Sequence, residues 1–129
     1  MIKWDDKYSI GVAQIDEQHK KLFEIANRAF ELLKNDLITD KFDQIATVLD
    51  ELKEYTIYHF KTEEEYMKSV KYMRFLGHKV IHDDFVKKLE DTDYRSIDEN
   101  QDRYISELLE FLVNWISQHI LKEDKQITA

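Results

Sequence analysis

The sequence has no cysteine, no proline and only two glycines in 129 residues. Without cysteine there is no disulfide, no thiolate metal ligand and no thiol nucleophile. The same lack fits a reducing compartment, and a cytoplasmic location is expected. An all-β sandwich or barrel needs turn residues about every 8–12 positions, so that class is excluded. No long apolar run is present either. The stretch from Leu108 to Ile116 is broken by Glu110 and Asn114, so no membrane insertion is expected. The opening Met1-Ile2-Lys3-Trp4-Asp5-Asp6 has no apolar core of the kind signal peptides carry. Positive charge is in deficit, with 19 Lys and Arg against 27 Asp and Glu and a net charge of −8. Nucleic acid is therefore not an expected partner, because its binders concentrate Lys and Arg.

What remains is a helix-forming sequence in which 43% of residues are hydrophobic, enough for one core. Apolar residues recur at helical spacing in four stripes. The first contains Ile15, Leu22, Phe23, Ala26, Ala29, Phe30 and Leu33. The second runs through Phe42, Ile45, Leu49, Leu52 and Thr56 to about Met67. Phe75, Ile81, Phe85 and Leu89 mark the third, and Ile105, Leu108, Leu112 and Ile116 the fourth. Cap and turn residues separate them at Asn35-Asp36, Thr39-Asp40 and around Ser96, Asp98 and Asn100. The break near Ser69–Tyr72 rests only on a loss of phase. Four amphipathic helices with short connections predict an all-α, antiparallel up-down four-helix bundle over residues 15–129. Residues 1–14 form an N-terminal arm, apolar enough at Trp4, Tyr8 and Ile10 to dock against it.

All five histidines fall on or beside these stripes. His19 lies between Ile15 and Leu22; His59 follows Leu52 and Thr56; His78 and His82 interleave with Phe75 and Phe85; His119 extends the fourth stripe. Five buried imidazoles are costly unless each has a partner, and metal ions are an economical common one. His78 and His82 are four residues apart, so their rings share a helix face with Cβ atoms about 5–6 Å apart. His59 and Glu63 repeat that spacing with a carboxylate, which cannot sit inward unpaired. His119 and Asp124 are five apart. On an ideal helix that leaves roughly 140° between them, so the helix must end or distort for both to ligate. Seven ligands exceed one tetrahedral site and suit two ions. If Glu63 and Asp124 bridge and solvent adds a further bridge, three His complete an octahedral ion and two His leave the other one position short. Such donors suit iron, and also manganese, cobalt or zinc.

At this point the sequence resembles the hemerythrins, most closely the single-domain bacteriohemerythrins. The resemblance runs from Trp4 through Ile15-Asp16-Glu17-Gln18-His19 and His59-Phe60-Lys61-Thr62-Glu63 to His78-Lys79-Val80-Ile81-His82 and His119-Ile120-Leu121-Lys122-Glu123-Asp124. Met73 stands where relatives often carry proline near the start of the third helix. The resemblance implies two non-haem irons, joined by an oxo or hydroxo bridge, that bind dioxygen reversibly for transport, storage or delivery. It implies that His78, His82 and His119 hold the six-coordinate iron and His19 and His59 the other, with Glu63 and Asp124 bridging. Three other readings stay open: an oxygen or nitric oxide sensor acting through a partner, a di-iron enzyme acting on peroxide or nitric oxide, and a metal-stabilised interaction bundle. No spare inward His or acid is evident as a proton donor, which favours a carrier over an enzyme.

Trp115 and Ile116, one turn before His119, and Phe23 are candidates for the ligand pocket; plain core packing is the other reading, and the two can coexist. Asp16 reads either as a helix N-cap or as an acceptor that orients a ligand imidazole. Gly77, beside His78, suggests a close helix approach. In the run Glu63-Glu64-Glu65 only Glu63 lies on the stripe, and the rest reads as solvated surface.

Overall fold

The computed structural model describes residues 1–93 and 102–129. Four helices account for most of them: α1 (Ala13–Lys34), α2 (Lys41–Ser69), α3 (Phe75–Asp91) and α4 (Asp102–His119). No strand occurs among the described residues. They form the expected up-down bundle, α1 packing on α2 and α4, and α2 on α3. The break read at Ser96, Asp98 and Asn100 lies outside the described residues.

The helix ends have local causes. Gly11 takes a left-handed φ of 85° and turns the chain into α1. At the other end of α1, the largely buried Lys41 donates from Nζ to the Leu33 carbonyl at 3.1 Å and to Asp36 at 3.2 Å. A cation is thus placed against the helix C-terminus, where the dipole favours it. The end of α2 explains why sequence alone marks it so faintly. Tyr72 N–H donates to the Met67 carbonyl and Lys71 N–H to that of Lys68, the bonding pattern of a Schellman turn. Its left-handed position, normally glycine, is Lys71 at φ 55°. Met73 lies just beyond and is almost fully exposed.

The core follows the stripes, but Leu33, Phe42, Phe75 and Ile81 are only partly buried, and α4 turns by one residue. Ile15, Leu22, Ile25, Ile45, Leu52, Ile105 and Leu109 are essentially inaccessible. In α4 the inward series is Ile105, Leu109, Leu112 and Ile116, and Leu108 is only half-buried. Both leucines satisfy helical spacing from Ile105, one at three residues and one at four, so periodicity could not choose between them. Packing into the bundle core selects Leu109, which is wholly inaccessible.

The arm is tied down. Its Asp6–Tyr8 segment forms one 3-10 turn. Tyr8 packs edge-on against Phe23 at 5.1 Å, with Trp4 5.9 Å from each. Asp16 lies inside α1 and accepts from Ser9 Oγ at 2.6 Å and Ile10 N–H at 2.9 Å. It is therefore neither the N-cap, which is Val12, nor an acceptor for a ligand imidazole, but the anchor of the arm. The arm also holds the far end of the chain. Lys125 Nζ donates to the Lys7 carbonyl and Thr128 Oγ1 to that of Ile10, both at 2.6 Å. Gly77 is exposed, and a Cβ there would meet nothing within 4 Å, so no close helix approach explains it.

Candidate metal centre

Each helix delivers a polar group into the same buried space. His19 comes from α1, His59 and Glu63 from α2, His78 and His82 from α3, and His119 from the last residue of α4. Beyond His119 the chain widens into a π turn over Ile120–Asp124, then closes with a short helical turn at Lys125–Ile127. The five-residue periodicity of the π turn swings Asp124 onto the face of His119. This resolves the spacing conflict by distortion, not by ending the helix. Asp124 Oδ1 reaches 3.0 Å from His119 Nε2.

All seven side chains are buried, and Glu63 and Asp124 are wholly inaccessible. They fall into two groups of converging donors: His78, His82 and His119 with Glu63 and Asp124, and His19 and His59 with the same two carboxylates. Each carboxylate turns one oxygen to each group. Glu63 Oε1 lies 2.8 Å from His78, 3.1 Å from His82 and 3.9 Å from His119. Its Oε2 lies 3.2 Å from His59 and 3.6 Å from His19. Asp124 Oδ1 is 3.0 Å from both His78 and His119, and Oδ2 is 3.1 Å from His19. The imidazoles approach through Nε2, and the Nε2 atoms of His82 and His119 are 3.1 Å apart.

The donor set fits a cation. His19 Nε2, Glu63 Oε2 and both Asp124 oxygens are buried without a hydrogen bond of good geometry. Two buried carboxylates with free oxygens are costly unless positive charge stands between them. Without metal, protons supply that charge. Burial presses His19 and His78 toward the neutral form, but the adjoining Asp124 and Glu63 outweigh it and lift each to about 9. His82 is also raised against its burial, by Glu63 and Glu64. Burial prevails at His59, which is lowered. Burial would raise the carboxyl groups, yet the ring of imidazoles holds Glu63 well below its usual range and Asp124 at about 2.

An aromatic wall backs the three-histidine group. Phe60 stacks on His82 at 3.8 Å and 3°. Trp115 stacks on His119 at 4.6 Å and 10°, and on Phe85 at 3.7 Å. Ile116 is buried one turn before His119. Phe23 instead packs into the cluster with Trp4 and Tyr8.

Sequence reasoning missed two polar neighbours. Gln18 is buried and accepts from His59 Nδ1–H at 2.7 Å, while its amide donates to Thr62 Oγ1 at 3.3 Å. Glu64 accepts from His82 Nδ1–H at 2.9 Å. The signals were present: Gln18 lies three residues after Ile15 and four before Leu22, and Glu64 lies four after Phe60.

Comparison with known proteins agrees with this geometry. Residues 10–129 match the family model described as the hemerythrin HHE cation binding domain. A bacteriohemerythrin of Clostridium acetobutylicum is 47% identical over 126 residues, covering 98% of each chain. One from Pseudomonas paraeruginosa is 32% identical over 121 residues, covering 94% of this chain and 75% of that one. A crystal structure of a hemerythrin carrying a leucine-to-alanine substitution superposes with a TM-score of 0.81 at 26% identity, covering 99% of this chain and 95% of that one. The converging imidazoles, the buried carboxylates and these matches lead to one conclusion: the chain belongs to the hemerythrin family.

Proposed function

We propose that the protein binds dioxygen reversibly at a pair of non-haem iron ions, as a carrier, store or delivery protein and not as an enzyme. The observation that carries this reading is the division of each carboxylate between two imidazole groups, one oxygen to each. His78, His82 and His119 would hold one iron and His19 and His59 the other, with Glu63 and Asp124 spanning both. When bound, the iron pair supplies the two electrons that reversible dioxygen binding requires. The protein's own residues do the rest. The two-histidine group offers one donor fewer, which leaves room for a small ligand on that side. Phe60 and Trp115 back His82 and His119 with apolar surface and Ile116 is buried one turn before His119, which disfavours water and anions on the three-histidine side. Every buried His, Asp and Glu among the described residues belongs to the seven, so none is left over as a proton donor to drive O–O cleavage. That supports binding over turnover. No helix among the described residues is long and apolar enough to cross a membrane, and the proposal places the protein in the cytoplasm.

The test is anaerobic reduction of the iron-loaded protein followed by titration with air. A visible band should appear and vanish again on degassing, with about two irons per chain. A band that never reverses, or one iron per chain at full occupancy, refutes the reading.

A further inference from the structure

The ring nitrogens that face away from the site are not treated alike. His59 Nδ1 meets the amide oxygen of Gln18 at 2.7 Å, and His82 Nδ1 meets a carboxylate oxygen of Glu64 at 2.9 Å. Both partners can only accept at those atoms, so Nδ1 carries a proton in each ring and Nε2 is the nitrogen left to bind a metal. By contrast, Nδ1 of His19 and of His78 is buried with no hydrogen-bond partner among the described residues. Each of the two donor groups therefore contains one ring locked in tautomer and orientation. The lock is charged at His82 and neutral at His59.

That difference has a chemical consequence. A carboxylate on the outer N–H of an imidazole pulls the proton toward itself and makes the inner nitrogen a better electron donor, whereas an amide mainly orients the ring. Glu64 is well placed for this. Its side chain is 18% exposed, at the rim of a surface groove of about 270 Å³, while the His82 side chain is 1% exposed. Phe60 lies flat against His82 at 3.8 Å and opposes tilting of the ring out of its plane. Gln18 is held in turn by Thr62.

We propose that Glu64 and Gln18 are positioning residues that make the two metal positions unequal, with the charged Glu64–His82 pair strengthening the three-histidine position and the neutral Gln18–His59 pair only orienting the two-histidine one. The proposal rests on the two-ion reading above, and cobalt(II) binding to the full chain tests the two separately. In the parent, competition with a chelator should resolve two binding steps of unequal affinity. Glu64→Gln keeps an acceptor and removes the charge. It should weaken the tighter step by roughly tenfold to a hundredfold, the usual cost of losing such a partner, and leave the looser step within about threefold. Glu64→Asp restores the charge on a shorter stem and should recover part of the loss. Gln18→Glu should tighten the looser step. Melting of the metal-free variants checks that each is folded. A folded Glu64→Gln protein with both steps unchanged overturns the proposal. A parent that binds a single cobalt refutes the two-ion reading, and the His82 assignment still stands if Glu64→Gln weakens that one ion.

Discussion

Loading the metal-free protein with divalent ions should expel at least about two protons at pH 7. His19 and His78 each titrate at about 9 because Asp124 and Glu63 stand beside them. Metals bind only the neutral ring, so both protons must leave. At pH 7 each ring lies two pH units below its midpoint and is neutral in about one molecule in a hundred. Each proton therefore weakens the overall apparent affinity about a hundredfold relative to pH above 9, or about 3 kcal/mol. The two together amount to about four orders of magnitude. Asp124, at about 2, and Glu63, held well below its usual range, are already ionised and release nothing. Affinity should rise steeply between pH 6 and 8, by about two decades per unit, and level off above 9. Calorimetric titration with zinc(II) in buffers of different ionisation enthalpy counts the protons directly. His82, also raised, adds to the count. The folding of the metal-free chain should show the complementary pattern. The raised imidazoles contribute stability that is complete below their unfolded value of 6.5 and lost as pH rises through 9. The depressed carboxylates contribute stability that is complete above 4.5 and lost as pH falls toward 2. These groups together favour about pH 4.5–6.5, opposed by His59, whose lowered value contributes stability above 6.5 that is lost as pH falls. Zinc binding at pH 7 with no proton release would refute the picture of imidazolium–carboxylate pairs in the metal-free site.

Other expectations follow from packing and backbone. Ile116→Ala should speed autoxidation of the reduced, air-exposed protein and admit anions faster while iron content stays nearly unchanged, at a core cost of about 2–5 kcal/mol; equal autoxidation rates in a folded variant would leave Ile116 as ordinary packing. Leu109→Ala should cost about 2–5 kcal/mol in denaturant unfolding, and Leu108→Ala, half-buried, distinctly less; equal losses would contradict the inward register of α4. Lys71→Gly should stabilise by about 1 kcal/mol, since glycine takes the left-handed position without the Cβ penalty; an unchanged or lower melting temperature would show that Lys71 carries no strain there.

The sequence by itself determined the helices and the seven inward donors. Both are local patterns: apolar residues at helical period, and imidazoles or carboxylates standing where that period demands an apolar side chain. It also showed that His119 and Asp124 could not share a face of a regular helix. Whether the helix would stop or widen there was not written locally. In the tertiary structure it widens into a π turn, with the arm bonded to Lys125 and Thr128 just beyond it. Leu109 over Leu108 was likewise settled only by the packing of the bundle, since both fit the period. Asp16 was ambiguous because its partners, Ser9 and Ile10, lie in an arm with no periodicity to read. The acceptors behind the imidazoles were the hardest to see. Gln18 meets His59 across 41 residues of chain and Glu64 meets His82 across 18, and a hydrogen bond between helices depends on their relative rotation, which no single helix encodes. The sequence thus specified what had to be buried together, and only the packing of four helices specified which nitrogen faces which oxygen.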